Sequence, residues 1–282
     1  VIPGGVLDTK ARILKIQELQ ATAMMGTPTY ILGMAETAQM KMEINPSELT
    51  IDKITCAGEC GASIPSTKRR LEKAWGAKVY DHAGATEIGA WSFECQDQPG
   101  GLHVNDALFL VEIADVETGD IIEEPGRRGK MIITALDRQA QPCVRFDSKD
   151  VIEWADEPCS CGRTSRLIKG GVVGRADDIT KVKGVLLAPS AIEEVVHGVD
   201  GLGDEYEVIV DRVGHTDQIK LKVEVLPEAQ DQCQLVESEL ADQLRLKTNL
   251  RYDIEICGCE TLPRYEVKAK RFKDLRKKLE TE

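Results

Sequence analysis

The chain has 282 residues, 42% hydrophobic and 30% charged, enough apolar material for one large domain and a smaller one. No apolar run reaches the roughly 18 residues of a membrane span. The net charge of −12 argues against nucleic acid as the main partner, because phosphate backbones are held by Lys and Arg. The opening "VIPGGVLDTKAR" has no basic segment followed by an apolar stretch, so no secretory signal is expected. It also reads as the interior of a longer polypeptide. Nine cysteines without an export signal point to a reducing, cytoplasmic setting, where close Cys pairs bind metal more often than they form disulfides.

Helical spacing of Ile13, Ile16, Leu19 and Ala23 predicts a helix over 8–25, followed by "TYIL" (29–32) as a short strand and "AETAQMKME" (35–43) as a helix. "IDKITCAGE" (51–59) reads as a strand entering a small-residue turn. "PSTKRRLEKAWG" (65–76) is a helix with Ser66 as its cap, Leu71 and Trp75 on one face and Gly76 as terminator. "AKVYDHAG" (77–84) is the next strand. The alternation predicts an α/β subdomain over 1–100 with a largely parallel sheet. Ligands of such sheets bind beyond the carboxyl ends of the strands, where "CAGE" and "HAGATE" lie.

After Gly100, "ALFLVEI", "KMIIT", "CVRF" and "VIEW" are short strands separated by the turns "ETGD" and "EPGRRG". They predict an appended antiparallel, β-rich subdomain over 101–173. "GGVVGRADDITKVKG" (170–184) marks a boundary. Beyond it come a strand near 179–187, a helix at 189–197, strands at 206–212 and 219–226, a helix at 228–246 and the strand "YDIEIC" (252–257). The second helix carries Cys233, Val236, Leu240 and Leu244 on one face. This βαββαβ order predicts a small α+β, ferredoxin-like domain over 174–282. Residues 264–278 hold eight Lys or Arg against Glu266 and Asp274. They form either a solvated helix end or a cationic element that closes over an anionic ligand.

Two sets of residues carry chemistry. A phosphate chain needs outward backbone N–H groups, a hydroxyl and a carboxylate-held metal. In "HAGATE", Gly84 and Ala85 permit close approach, Thr86 offers the hydroxyl and Glu87 could hold Mg²⁺; the plain alternative is a helix start. Asp150, in "VRFDSKD", could accept both ribose hydroxyls, with Arg175 and Lys268 as cations. The second set is Cys95 and His103 with the Cys-x-Cys pair Cys159 and Cys161. Together these could hold tetrahedral Zn²⁺, or they are reduced loop cysteines. Cys257 and Cys259 share a strand face without identifiable partners, and Cys56 and Cys60 read as packing residues. His82 either lines a pocket or is simply hydrogen-bonded.

The segments "AGE" (57–59), "HAGATE" (82–87), "VRFDSKD" (144–150), "GRADDITKVKGVLLAPSAIEEVV" (174–196) and "PRYEVKAKRFKDLR" (263–276) resemble, in order, those of the adenylate-forming acyl-CoA ligases, phenylacetate–coenzyme A ligase in particular. The resemblance implies a remnant of the family's large N-terminal domain followed by its mobile C-terminal domain. It also implies AMP-forming ligation of an aromatic carboxylic acid to coenzyme A with ATP and Mg²⁺. Ala57, Gly58 and Glu59 would face adenine, Thr86 the α-phosphate and Glu87 Mg²⁺. Asp150 and Arg175 would hold the ribose, and Asp177 would be the hinge. Lys268 would be the catalytic lysine, and Gly184 would approach pantetheine. Some members of this branch carry zinc near the cysteine loops, where a metal with four protein ligands would be structural. A homodimer is plausible by the same resemblance. Three departures stand out: Ala83 replaces an adenine-stacking aromatic, Val267 replaces the Gly before the lysine, and the Ser/Thr/Gly-rich phosphate loop is absent. They leave open a short homologue that binds adenylate or coenzyme A without ligation.

Overall fold

The computed structural model describes residues 1, 3, 5, 7–214, 216–265 and 269–276. The chain divides into two compact units, Val1–Asp178 and Ile179–Glu282.

The first unit opens with α1 (Thr9–Leu19), capped by the Asp8 carboxylate, which accepts from Ala11 N at 2.7 Å. It stops short of the expected residue 25 because Gln20 turns left-handed, with φ 49°. The strand expected at "TYIL" is also corrected. The strand here is β1 (Ala23–Gly26), and 28–42 form one helix, α2 (Pro28–Met42). Thr27 caps that helix through its hydroxyl, and Pro28 presets its first turn. Ile31, Met34, Ala35 and Ala38 then fall on its buried face, a helical rather than an alternating spacing.

β2 (Lys53–Cys56) and β3 (Lys78–Asp81) complete a parallel sheet of order β1-β2-β3. Their connection carries α3 (Pro65–Trp75), whose Trp75 is fully buried and donates to Ile31 O at 3.2 Å. Ser66 does not cap α3. Ile64 holds that position with no side-chain bond and Pro65 opens the helix, so Ser66 lies inside the first turn. Its Oγ is buried without a hydrogen-bond partner among the described residues.

The antiparallel part starts with a hairpin of β4 (Gly84–Ala85) and β5 (Gly89–Ala90). Next come β6 (Ser92–Glu94) and β7 (Leu102–Val104), which pair, then β8 (Phe109–Ala114), β9 (Arg128–Ala135) and β10 (Cys143–Glu153). β11 (Leu167–Ile168) joins β7, and β12 (Gly174–Arg175) joins β10. Instead of separate "CVRF" and "VIEW" strands, β10 is one strand with two register shifts, and Arg145 and Lys149 turn left-handed at φ 49° and 67°. Such bulges let one strand re-aim its side chains partway along. Because β12 belongs to this sheet, residues 174–175 stay with the first unit.

The second unit begins with β13 (Thr180–Val182) and β14 (Val185–Leu187), then α4 (Pro189–Val196), β15 (Leu202–Val213), β16 (Thr216–Val225), α5 (Cys233–Thr248), β17 (Asp253–Cys257) and β18 (Phe272–Asp274). Its sheet has the order β17-β16-β15-β18, antiparallel at the centre and parallel at both outer pairings. The ferredoxin-like order is therefore corrected. The strand expected near 179–187 folds back on itself as the β13–β14 hairpin and does not enter the sheet. Lys183 and Gly184 make that possible with φ of 50° and 85°, the pair of left-handed residues a tight hairpin turn requires. Val236, Leu240 and Leu244 of α5 pack on Val208, Val210, Leu221 and Val223 of the sheet. Cys233, expected on the same face, is only partly buried and donates to Gln230 O. Among the described residues, no helix is long and apolar enough to cross a membrane.

Candidate functional site

The parallel sheet delivers two loops to one edge. Beyond β2 the chain turns through Ala57, Gly58 and Glu59, with Gly58 at φ +96°, a conformation natural to glycine. Ala57 N donates to Gly26 O at the end of β1 (3.1 Å), and His82 N, just past β3, donates to Cys56 O (2.9 Å). The turn therefore sits at the carboxyl ends of all three strands, where such sheets bind ligands. Glu59 has a structural task there: its Oε1 accepts from Thr29 N at 2.8 Å, in the first turn of α2. His82 follows its plainer reading, with Nδ1 2.6 Å from Ser92 O.

Thr86 and Glu87 lie in a hairpin turn and not at a helix start. β4 and β5 approach so closely that a Cβ on Gly84 would stand 3.0 Å from Gly89 O. Ile88, 1% exposed, anchors the turn from below, while Thr86 and Glu87 are exposed. Arg138, in the connection after β9, donates to Thr86 O at 3.3 Å; no sequence motif marks it.

Asp150 and Arg175 are register partners across β10 and β12, with Nη1 3.9 Å from Oδ1. The same guanidinium forks onto Asp177, Nε to Oδ1 at 2.9 Å and Nη2 to Oδ2 at 2.7 Å, and donates to Ser148 O. That fork holds the Asp177 carboxyl below its ordinary range. The structure thus brings Asp150, Arg175 and Asp177 together, the last two within three residues of the unit boundary at Asp178. Gly184 lies at the exposed β13–β14 turn in the second unit. Lys268, with Val267 before it, lies outside the described residues.

The four residues of the candidate metal centre converge. Cys95, His103, Cys159 and Cys161 each place one ligand atom within 4.8 Å of the others. The Cys95 sulfur is 3.5 Å from His103 Nε2 and 3.5 Å from the Cys159 sulfur, and the Cys161 sulfur is 3.5 Å from Nε2. A tetrahedral ion with Zn–S near 2.3 Å and Zn–N near 2.0 Å requires S–N edges of about 3.5 Å and S–S edges of about 3.8 Å. The residues therefore fit zinc. Ser165 Oγ is 3.1 Å from His103 Nδ1, which leaves Nε2 for the metal. Burial lowers the His103 pKa, favouring the neutral ring that a metal binds. β7 and β11 bring the loops together by pairing Leu167 with His103.

Sequence reading missed a buried polar chain between these two sites. Ser63 donates to Asp81, Asp81 N donates to Glu94 Oε2 at 2.6 Å, and Glu94 pairs with Lys68 while accepting from Gly100 N at 2.9 Å. The Glu94 side chain is 1% exposed, and burial pushes the Asp81 carboxyl up. The chain ties the strand leading to His82 to the loop between Cys95 and His103. A signal was available: Val79 and Asp81 alternate onto one strand face, as do Ser92 and Glu94. Cys56 is buried and its thiol is pushed up by burial, in keeping with a packing role.

Residues 184–276 match the family described as AMP-binding enzyme C-terminal domain. Phenylacetate-coenzyme A ligase from Thermus thermophilus is 29% identical over 226 residues, which is 79% of this chain and 49% of that protein. Its counterpart from Pseudomonas putida is 29% identical over 277 residues, 95% of this chain and 61% of that protein. A crystal structure of 2-hydroxyisobutyryl-CoA ligase in the postadenylation state, in complex with R3-HIB-AMP, is 26% identical with a TM-score of 0.89. It matches over 100% of this chain and 60% of that one. The chain spans about half to three fifths of the length of these relatives. By sequence and fold the chain is similar to phenylacetate-coenzyme A ligases and to a 2-hydroxyisobutyryl-CoA ligase.

Proposed function

We propose that the chain serves in ATP-dependent, AMP-forming ligation of a carboxylic acid to coenzyme A through an acyl-adenylate, the acid being aromatic and phenylacetate-like. The observation that carries this reading is the Asp150–Arg175–Asp177 cluster. It sets a carboxylate and a guanidinium side by side at the last strand before the unit boundary, in a chain whose relatives are acyl-CoA ligases.

On this reading the backbone of Ala57, Gly58 and Glu59 faces adenine, while Asp150 accepts the ribose hydroxyls beside Arg175. The Thr86 hydroxyl meets the α-phosphate. Glu87 would hold Mg²⁺, which when bound supplies charge neutralisation at the phosphates. Lys268 neutralises the negative charge gathered as the acid's carboxylate attacks the α-phosphate and pyrophosphate leaves. Asp177 acts as the hinge, and Gly184 approaches pantetheine once the adenylate has formed. Cys95, His103, Cys159 and Cys161 would hold a structural Zn²⁺ that cross-links the loops and takes no part in the chemistry.

The test separates the half-reactions in the complete gene product. Lys268→Ala is expected to abolish pyrophosphate exchange while sparing thioester formation from supplied acyl-adenylate and coenzyme A. Equal loss of both would count against the assignment. Competition between phenylacetate and 2-hydroxyisobutyrate in the same assay checks the aromatic preference.

A further inference from the structure

One short strand of the first unit serves both candidate sites. β6 has three residues, Ser92, Phe93 and Glu94, and runs directly into Cys95. Along one edge it pairs with β7, which sets Phe93 opposite His103. The Phe93 ring also stacks on the His103 imidazole, with 5.7 Å between centroids. Two of the four candidate metal ligands are therefore placed by β6.

Along its other edge β6 holds the segment that leads to Thr86 and Glu87. Asp81 N donates to Glu94 Oε2 at 2.6 Å, and Ala83 N donates to Ser92 Oγ at 3.2 Å. His82 Nδ1 lies 2.6 Å from Ser92 O. The Ala83 carbonyl accepts from Trp91 N (3.2 Å) and Ser92 N (3.3 Å), and Gly84 pairs with Ala90. Each residue from 81 to 84 is thus tied to one in 90–94. Strand alternation explains the double duty. Ser92 and Glu94 are buried and reach the 81–83 segment, while Phe93 points the other way, toward His103.

Glu94 is the junction. Its Oε1 pairs with Lys68 and accepts from Gly100 N at 2.9 Å, inside the loop between Cys95 and His103. One buried carboxylate is therefore shared by the metal loop and by the strand that ends at His82. A buried carboxylate stripped of a partner is costly, so loop and segment keep their relative positions. An ion bound by Cys95, His103, Cys159 and Cys161 would fasten that loop to a second one and so restrict β6. Whatever is ordered at one site then need not be ordered again at the other.

We propose that β6 couples the two sites, with Ser92 and Glu94 as its positioning residues. A metal held by the cysteines and His103 places the Thr86–Glu87 turn for a nucleotide's phosphate, and bound nucleotide tightens the metal by the same factor, as linkage requires. The metal takes no part in the chemistry; it fixes where the phosphate-binding turn stands. The inference rests on the readings of both sites proposed above.

The experiment uses the complete gene product with Zn²⁺ and AMP as probes. Calorimetry reads AMP affinity in zinc-loaded and chelator-stripped protein. Competition with a chromophoric chelator reads zinc affinity with and without saturating AMP. Both affinities are expected to shift by one common factor of about tenfold. Hydrogen exchange on zinc removal should quicken over residues 82–92 and stay unchanged over α2. A uniform rise would mean that the metal acts only through global unfolding, and would overturn the inference. Glu94→Gln keeps the side-chain shape and removes the charge; it is expected to bring the common factor within about twofold of unity while zinc and AMP each still bind. Ser92→Ala, which removes only the acceptor for Ala83 N, is the milder variant should Glu94→Gln fail to fold, and should reduce the factor without abolishing it. A factor that neither variant changes counts against β6 as the coupling element. If zinc and AMP bind with no effect on each other, the inference falls and both site readings stand. If the protein takes up no zinc, or the loaded protein no AMP, the corresponding reading falls and the inference falls with it.

Discussion

In the first unit the Thr86–Glu87 turn is held by two-residue strands and by Ile88 buried beneath it. In the second unit the Lys183–Gly184 turn is held by the Asp217 carboxylate and the Arg276 guanidinium. The first kind of support is mainly backbone and apolar, with the Arg138 guanidinium on Thr86 O, and acid leaves it largely alone. The second is electrostatic and depends on ionisation, although its burial limits screening. Charge is present in the first unit as well, but beneath the site: Lys68, Glu94 and Asp81 join its scaffold from inside. The difference separates a rigid platform from segments whose placement is set by a few charged contacts.

The strongest test of the platform is its candidate metal centre. Structural zinc contributes roughly 10–16 kcal/mol in small zinc-binding peptides at neutral pH. Cys95→Ser is therefore expected to abolish metal content and to lower the melting temperature of the first unit more than any other change considered. Elemental analysis and calorimetry with and without chelator check this; an unchanged melting curve after metal loss would remove the structural role.

Next in size is Lys68→Met. It leaves the Glu94 carboxylate buried without its cation, a change that costs about 3–5 kcal/mol, visible as a lower denaturant midpoint. Hydrogen exchange in β15 and β16 should not move, and if it does, the units are not independent. Gly171→Ala comes after. Gly171 has φ +66°, and a Cβ there would stand 2.1 Å from Ser63 Oγ, which is pinned to Asp81. Strain and overlap together predict about 3 kcal/mol.

The smallest effect belongs to the second unit and depends on pH. The Arg276 side chain, with Thr180, holds the Asp274 carboxyl down at about 2 against an ordinary 3.8. Because the folded value is the lower one, the stabilisation of about 2 kcal/mol is complete above about pH 4 and is lost as pH falls toward 2. Asp274→Asn should flatten that acid limb. An unaltered acid limb in the variant would mean the anchor contributes no linked stability.

Elements with a full apolar face and a marked end were legible in the sequence. Leu71, Trp75 and Gly76 define α3, and Val236, Leu240 and Leu244 define α5. "TYIL" was not, because a four-residue apolar run serves either a strand or a helix; the Thr27–Pro28 start carried the missing information. Pro65 likewise marked the helix opening that Ser66 was expected to cap. For the candidate sites, residue types were readable and convergence was not. Cys95, His103, Cys159 and Cys161 looked like ligands, but only the β6–β7–β11 pairing brings them within reach of one ion. For the Ser63–Asp81–Glu94–Lys68 chain, strand alternation marked the shared faces of Asp81 and Glu94, but not that these segments are buried against one another. Arg276 ends the segment 263–276, but nothing in that segment marks its contacts with Thr180 and Asp217.

β12 has two residues, pairs along one side only, and ends three residues before the unit boundary at Asp178. A pull on residue 178 directed across β10 would meet its contacts in series: the Arg175–Asp177 fork, then Ala176 N to Lys149 O at 2.7 Å, then Val173 N to Val151 O at 2.9 Å. Contacts loaded one after another peel open at far lower force than contacts sheared together. Each residue released would lengthen the tether by roughly 3.3 Å. Pulled in that direction, the strand edge that carries Asp150 and Arg175 would give way one contact at a time.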